Sequence, residues 1–273
     1  MTRRDMNRKI RRIKAHLKRL GVILALVLAV VLMICGCLYI VEHVFQSDKK
    51  TNGERNNDVV TSSDDVQADQ PSEEVPDDIE TQILNTYNYQ YSKPDASGLH
   101  IILDAGHGGN DGGTQAGDIL EKDVNLTITK KLEALLIEAG ATVTMTRDKD
   151  DYVALKDRTA IGNQSNADLF LSLHCNSFES DSNVHGLEIY YHKNSETGKQ
   201  YAETATQALK DSNTIYVREV SKQNMEVLRN SSIPAIMIEM GFLTNAEDCA
   251  NLNDSLYQEF LTRLITEKII TML

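Results

Sequence analysis

Cysteine is scarce in this chain, with four in 273 residues, and that scarcity excludes a fold built on disulfides. Cys35 and Cys37 fall inside an apolar run, leaving only Cys175 and Cys249 beyond it, too few for a bridged framework and with no spacing that forces a pair. Basic residues are scarce in the C-terminal part. From His100 to Leu273 there are 15 Lys or Arg against 26 Asp or Glu, a net of −11 with His neutral, which argues against nucleic acid, whose binders present basic surfaces. No aromatic residue and no sustained apolar period occurs in "SDKKTNGERNNDVVTSSDDVQADQPSEEVPDDIETQ" (47–82), the bulk of the segment from about Glu42 to Gly98. Such a segment cannot bury enough apolar surface to offset its ordering entropy. Residues 42–98 therefore read as an acidic, disordered stalk, extended by its own charge.

What the chain does have begins at its N-terminus. Residues 1–19 carry nine Lys or Arg against the single Asp5, and "GVILALVLAVVLMICGCLYIV" then runs from Gly21 to Val41 without a charge. A bilayer-spanning helix needs about 20 apolar residues. With basic residues before the run and acidic ones after it, the positive-inside rule reads 1–19 as a cytoplasmic tail, 20–41 as a transmembrane signal anchor, and the rest as extracellular. A cleaved signal peptide would have a shorter apolar region and a small-x-small site after it, where this chain has "CLYIVEHVF". Lipidation at Cys37 would require the chain to turn polar there, and it does not.

From residue 99 onward, strand and helix patterns alternate. "LHIILDA" (99–105), "ATVTMTR" (141–147), "DLFLSLH" (168–174), "GLEIYYH" (186–192) and "PAIMIEM" (234–240) read as strands. Val124, Ile128, Leu132, Leu135, Leu136 and Ala139 fall at helical spacing before Gly140. Further helices are expected over 152–167, around Thr197–Leu209 and from about Asp254 to Met272. This alternation predicts a single α/β domain, 99–273, with a mostly parallel sheet covered by helices.

Open α/β sheets gather their ligands at the carboxyl ends of the strands. His107 follows "IILDAG", His174 closes "DLFLSLH", and Glu239 closes "PAIMIE". If these three strands are parallel, two imidazoles and a carboxylate converge. A catalytic zinc site holds its metal with three such side chains and keeps a position for water. For the third ligand the candidates are Asp104, Asp111, Glu121 and Glu239. Glu121 is best placed, because the flexible loop "GNDGGTQAGDIL" can return it beside His107. Cys175, next to His174 on a strand, points to the opposite face. His100, His185 and His192 read as strand-end residues. Asp104 is a candidate to fix one imidazole by a hydrogen bond. Gly106, Gly108 and Gly109 leave room for close approach. Glu239 lies in the most apolar setting of any carboxylate, "IPAIMIEMGF". It is either salt-bridged, to Arg229 or Arg158, or a general base with a pKa raised by burial.

The blocks "ILDAGHGGNDGG", "LEKDVNL", "RTAIGNQSNADLFLSLHCNS" and "VLRNSSIPAIMIEMGFLTN" resemble, in order and spacing, the zinc-dependent N-acetylmuramoyl-L-alanine amidases of the amidase-3 type. The resemblance covers residues 99–273. It implies a mixed sheet of about six strands, one zinc ion on His107, Glu121 and His174, Glu239 as catalytic acid/base, and hydrolysis of the lactyl–L-alanine amide of peptidoglycan. One departure falls near Arg218, where many relatives follow the arginine with glycine and this chain has "VREVSKQNMEVLRN", a loop expected to border the substrate groove. No bulky insertion is evident between Glu121 and Glu239, so the groove is expected to be accessible. No separate wall-binding module is visible. The rival readings are a zinc peptidase acting within the stem peptide and a non-catalytic wall-binding module.

Overall fold

The computed structural model describes residues 78–273. The expected cytoplasmic tail, the expected transmembrane anchor and the part of the expected stalk before residue 78 lie outside the described residues. Among those described, no helix is long and apolar enough to cross a membrane.

Six strands form the main sheet: β1 (His100–Ala105), β4 (Thr142–Met145), β5 (Leu169–Asn176), β6 (Glu188–Tyr191), β7 (Ser221–Lys222) and β8 (Ala235–Phe242), in the order β4-β1-β5-β8-β6-β7. The short pair β2 (Gln115–Ala116) and β3 (Ile119–Leu120) forms a separate hairpin. β4, β1, β5 and β8 are mutually parallel, and β6 is antiparallel to β8. The sheet is therefore mixed. β1, β5 and β8 are buried along almost their whole length, which explains why they read as continuous apolar runs: helices cover both of their faces.

On one face, Ile101, Leu103, Leu171 and Ile238 pack with α2 (Glu121–Glu138), α4 (Glu196–Asp211) and α7 (Ser255–Ile270). On the other, Ile102, Phe170 and Met237 pack against α5 (Glu226–Arg229) and Ile161 of α3 (Leu155–Asn163). α2 stops at Gly140, whose φ of 100° is open to glycine and strained for other residues. α6 (Ala246–Leu252) is capped by the side chain of Asn245, and α7 by Asp254.

Residues 78–98 differ from the stalk that their composition suggests. Asp78 caps α1 (Ile79–Tyr87) by accepting from Thr81 N. Ile83, Tyr89 and Ala96 are buried in the main core. Tyr87 stacks on Phe260 with ring centroids 4.3 Å apart, and Tyr89 meets the same ring edge-on while donating its hydroxyl to Glu267 Oε2 at 2.6 Å. A few aromatic anchors docked on α7 order a segment whose average polarity is high.

Candidate metal centre and active site

β1, β5 and β8 run parallel and end at one edge, where His174 and Glu239 are register partners. The chain leaving β1 turns at His107, whose φ of 61° is unusual for a residue with a side chain. Three neighbours set this turn. Gly106 precedes it, and a Cβ there would lie 2.3 Å from the His174 ring. Arg158 Nη2 donates to His107 O at 2.6 Å. Arg147 Nη2 donates to Gly106 O at 2.8 Å.

The loop then folds back through the β2–β3 hairpin and delivers Glu121 as the first residue of α2. Gly113, at φ 66°, allows the return, since a Cβ there would lie 2.5 Å from Glu121 Oε2 and 2.8 Å from His107 Cδ2. Glu121 Oε1 stands 3.2 Å from His107 Nε2 and 3.0 Å from His174 Nδ1. One donor atom from each of the three residues lies within 4.8 Å of the others. Tetrahedral ligands at about 2.1 Å from zinc stand roughly 3.4 Å apart, so the two Glu–His separations suit one such ion.

Electrostatics agree with that fit. Burial works against a charged His107, but its hydrogen bonds to Glu121 and Asp111 outweigh this and push its pKa up to about 9. Burial likewise works against the Glu121 carboxylate, and the two imidazoles outweigh it, holding the group far below the usual carboxylate range. The cluster thus favours positive charge at its centre.

The supporting contacts fix the donors. Glu121 Oε2 accepts from Thr114 N at 2.8 Å. Its Oε1 accepts from Asn125 Nδ2 at 3.2 Å and from Cys175 N at 3.1 Å. Asp111, one of the alternatives for third ligand, instead faces the far nitrogen of His107, Oδ2 to Nδ1 at 2.9 Å. That leaves His107 Nε2 directed at the centre. The Cys175 thiol turns away, as strand alternation requires, and donates to Asn125 Oδ1. His100 and His185 bond to Thr144 and to the Asn183 carbonyl, away from the cluster.

Asp104 does not hold an imidazole. It is fully buried and accepts from Arg158 Nη1 at 2.8 Å, Thr146 Oγ1 at 2.7 Å and Ser172 Oγ at 2.7 Å. Arg158, so anchored, also donates to the carbonyls of Val153 and Ala105. The pair ties the end of β1 to α3. Arg229 donates to Asn224 through Nη1, and Arg218 Nε donates to Glu188 Oε1 at 2.6 Å.

Glu239 has neither of the arginine partners open to it in sequence. It is 5% exposed, and its buried Oε2 has no hydrogen-bond partner. Burial pushes its pKa up to about 7, the charges of Glu121 and Glu188 acting in the same direction against the pull of His174 and His107. A cleft of about 400 Å³ opens beside the cluster, lined by His107, His174, Tyr152, Met225 and Glu226 among others. Three residues of the segment after Arg218, Met225, Glu226 and Val227, thus reach the cleft. Asn125, Glu188 and the amide of Cys175 escaped the sequence reading. Asn125, four residues after Glu121 on one helix face, carried the only readable signal.

Fold and donor set together define an α/β domain with a His–Glu–His group able to hold one metal ion. The chain belongs to the N-acetylmuramoyl-L-alanine amidase family, whose sequence profile matches residues 101–271. It is 35% identical over 173 residues to a probable cell wall amidase LytH of Staphylococcus epidermidis, covering 62% of this chain and 57% of the relative; the chain thus spans little more than half the length of that relative. Among solved structures it resembles the amidase AmiC2 of Nostoc punctiforme, with 38% identity, a TM-score of 0.60, and coverage of 64% of this chain and 97% of that one. An amidase from Clostridium difficile 630 is 33% identical, with a TM-score of 0.61 and coverage of 66% and 97%.

Proposed function

We propose that the chain is a membrane-anchored, zinc-dependent N-acetylmuramoyl-L-alanine amidase that hydrolyses the amide between the lactyl group of N-acetylmuramic acid and L-alanine in peptidoglycan. The observation that carries this reading is the buried carboxylate of Glu239, with an oxygen left unpaired, on the strand next to a donor set suited to zinc. Its family membership supplies the substrate class.

His107, Glu121 and His174 would hold the ion, which supplies Lewis acidity and a lowered pKa for water when bound. Glu239 takes a proton on its carboxylate as water attacks the lactyl carbonyl carbon. It returns that proton to the alanine nitrogen as the C–N bond breaks. A base with a pKa near 7 is well matched to both halves of this traffic. Asp111 keeps the His107 ring oriented, and Arg158 holds the backbone beneath it.

Anchoring through residues 20–41, with the domain outside the cytoplasm, is supported by the charge asymmetry around that run. Product analysis tests the reaction. Purified chain with zinc should release intact stem peptides and leave free lactyl-muramic ends; fragments cut between stem residues would instead establish a peptidase, and no products would establish a binding module.

A further inference from the structure

The catalytic edge continues past Glu239 onto β6. Residues directly opposite in an antiparallel pair project from the same face, and Glu188 stands opposite Glu239. Tyr190 OH and Asn176 Nδ2 donate to Glu188 Oε2, at 2.5 and 3.0 Å. Arg218 Nε takes the other oxygen, Oε1, at 2.6 Å. The guanidinium also lies over the Phe242 ring, 5.6 Å from its centroid, a favourable placement for a cation. Arg218 is thus clamped from two sides while about a third of its side chain stays exposed.

Only Nε is engaged in a hydrogen bond; no described residue accepts from Nη1 or Nη2. Glu219, its acidic neighbour in sequence, is taken by Lys210 at 2.9 Å. Other cations around the centre are already committed. Arg147 and Arg158 donate to backbone carbonyls, and Lys122 donates to Gly109 O and Asp150. A rigid guanidinium with free terminal donors matches a carboxylate better than a neutral hydroxyl or amide.

We propose that Arg218 is a specificity-determining residue that anchors a carboxylate of the stem peptide, the one on the residue following L-alanine. This inference rests on the amidase reading above. A chain spans at most about 3.6 Å per residue, so that carboxylate lies within roughly 7 Å of the scissile nitrogen. Neighbouring strands stand about 4.8 Å apart, a spacing of the same order as that reach, and Arg218 is bonded to Glu188, the residue directly opposite Glu239. The N-acetylated sugar on the other side of the amide offers no comparable anion.

The test uses the full-length chain with zinc and two muramyl-peptide substrates, one with this carboxylate free and one with it as the carboxamide. Wild type should prefer the free carboxylate by about tenfold in kcat/KM, the scale of one charged hydrogen-bond pair, and the preference should lie in KM. In R218Q the preference should fall to about one; R218K, which keeps the charge and loses the fork, should recover part of it. A structural loss would slow both substrates alike and leave their ratio unchanged. Affinity of metal-free protein for the released peptide bearing the free carboxylate should also weaken about tenfold in R218Q. An unchanged preference or unchanged peptide affinity in R218Q, or no preference in wild type, overturns the anchor and leaves the reaction standing. Failure of wild type to cut either substrate at the lactyl–alanine amide overturns both.

Discussion

Two buried carboxylates on one face of the sheet, Asp104 and Glu239, have been placed in opposite circumstances. Asp104 is fully buried and accepts from a guanidinium and two hydroxyls, and although burial works against its charge, Arg158 holds its pKa below the ordinary value. Glu239, nearly as buried, keeps an oxygen without a partner and is pushed up to about 7. The first arrangement stabilises a fixed charge and a fixed backbone turn. The second holds a carboxylate whose proton can come and go near neutral pH, at a cost to folding. Burial alone therefore does not decide how readily a carboxylate keeps its charge; the number of committed partners does.

The sharpest break in this comparison is on the structural side. Arg158→Ala leaves Asp104 charged and unpaired in the core and should destabilise the domain by about 3–5 kcal/mol, read as a fall in denaturation midpoint; Glu239→Gln should not destabilise it at all. On the reactive side, the sign follows from the raised pKa. Between the ordinary value of 4.5 and about 7, the native state binds the proton that the unfolded state releases, so ionisation of Glu239 erodes stability as pH rises through that window. In metal-free protein, Glu239→Gln should therefore gain little at pH 4 and a few kcal/mol at pH 8 relative to wild type. Equal gains at both pH values would mean that Glu239 is not strained by its charge. A smaller effect is expected at Asp111. Asp111→Asn keeps the shape but weakens the hold on His107 and should reduce zinc affinity about 10- to 100-fold in a competition titration, with little change in melting temperature.

Much of this was legible in the sequence, for identifiable reasons. β1, β5 and β8 declared themselves because strands buried on both faces are apolar throughout, and their ends pointed to His107, His174 and Glu239. Glu121 could be placed only as the best of several acids, since nothing local shows that Gly113 clears space for its return. Asp104 and Asp111 were harder to separate: the sequence offers two aspartates flanking a histidine, and only the fold shows that one faces Arg158 and the other the ring. The ordering of residues 78–98 was hidden because Ile83, Tyr87 and Tyr89 have no period among their polar neighbours and gain their meaning from Phe260 and Glu267, over 170 residues away. β6 reads like any other strand, so its reversed direction, which brings Glu188 opposite Glu239, could not be read from its own residues.

The most direct measurement of the central claim is zinc content and turnover of Glu239→Gln, side by side with wild type. A proton-carrying carboxylate outside the donor set predicts one zinc per chain in both proteins and a fall in kcat of about 10²- to 10⁴-fold in the variant. Loss of zinc from the variant, or turnover within a few-fold of wild type, would contradict it.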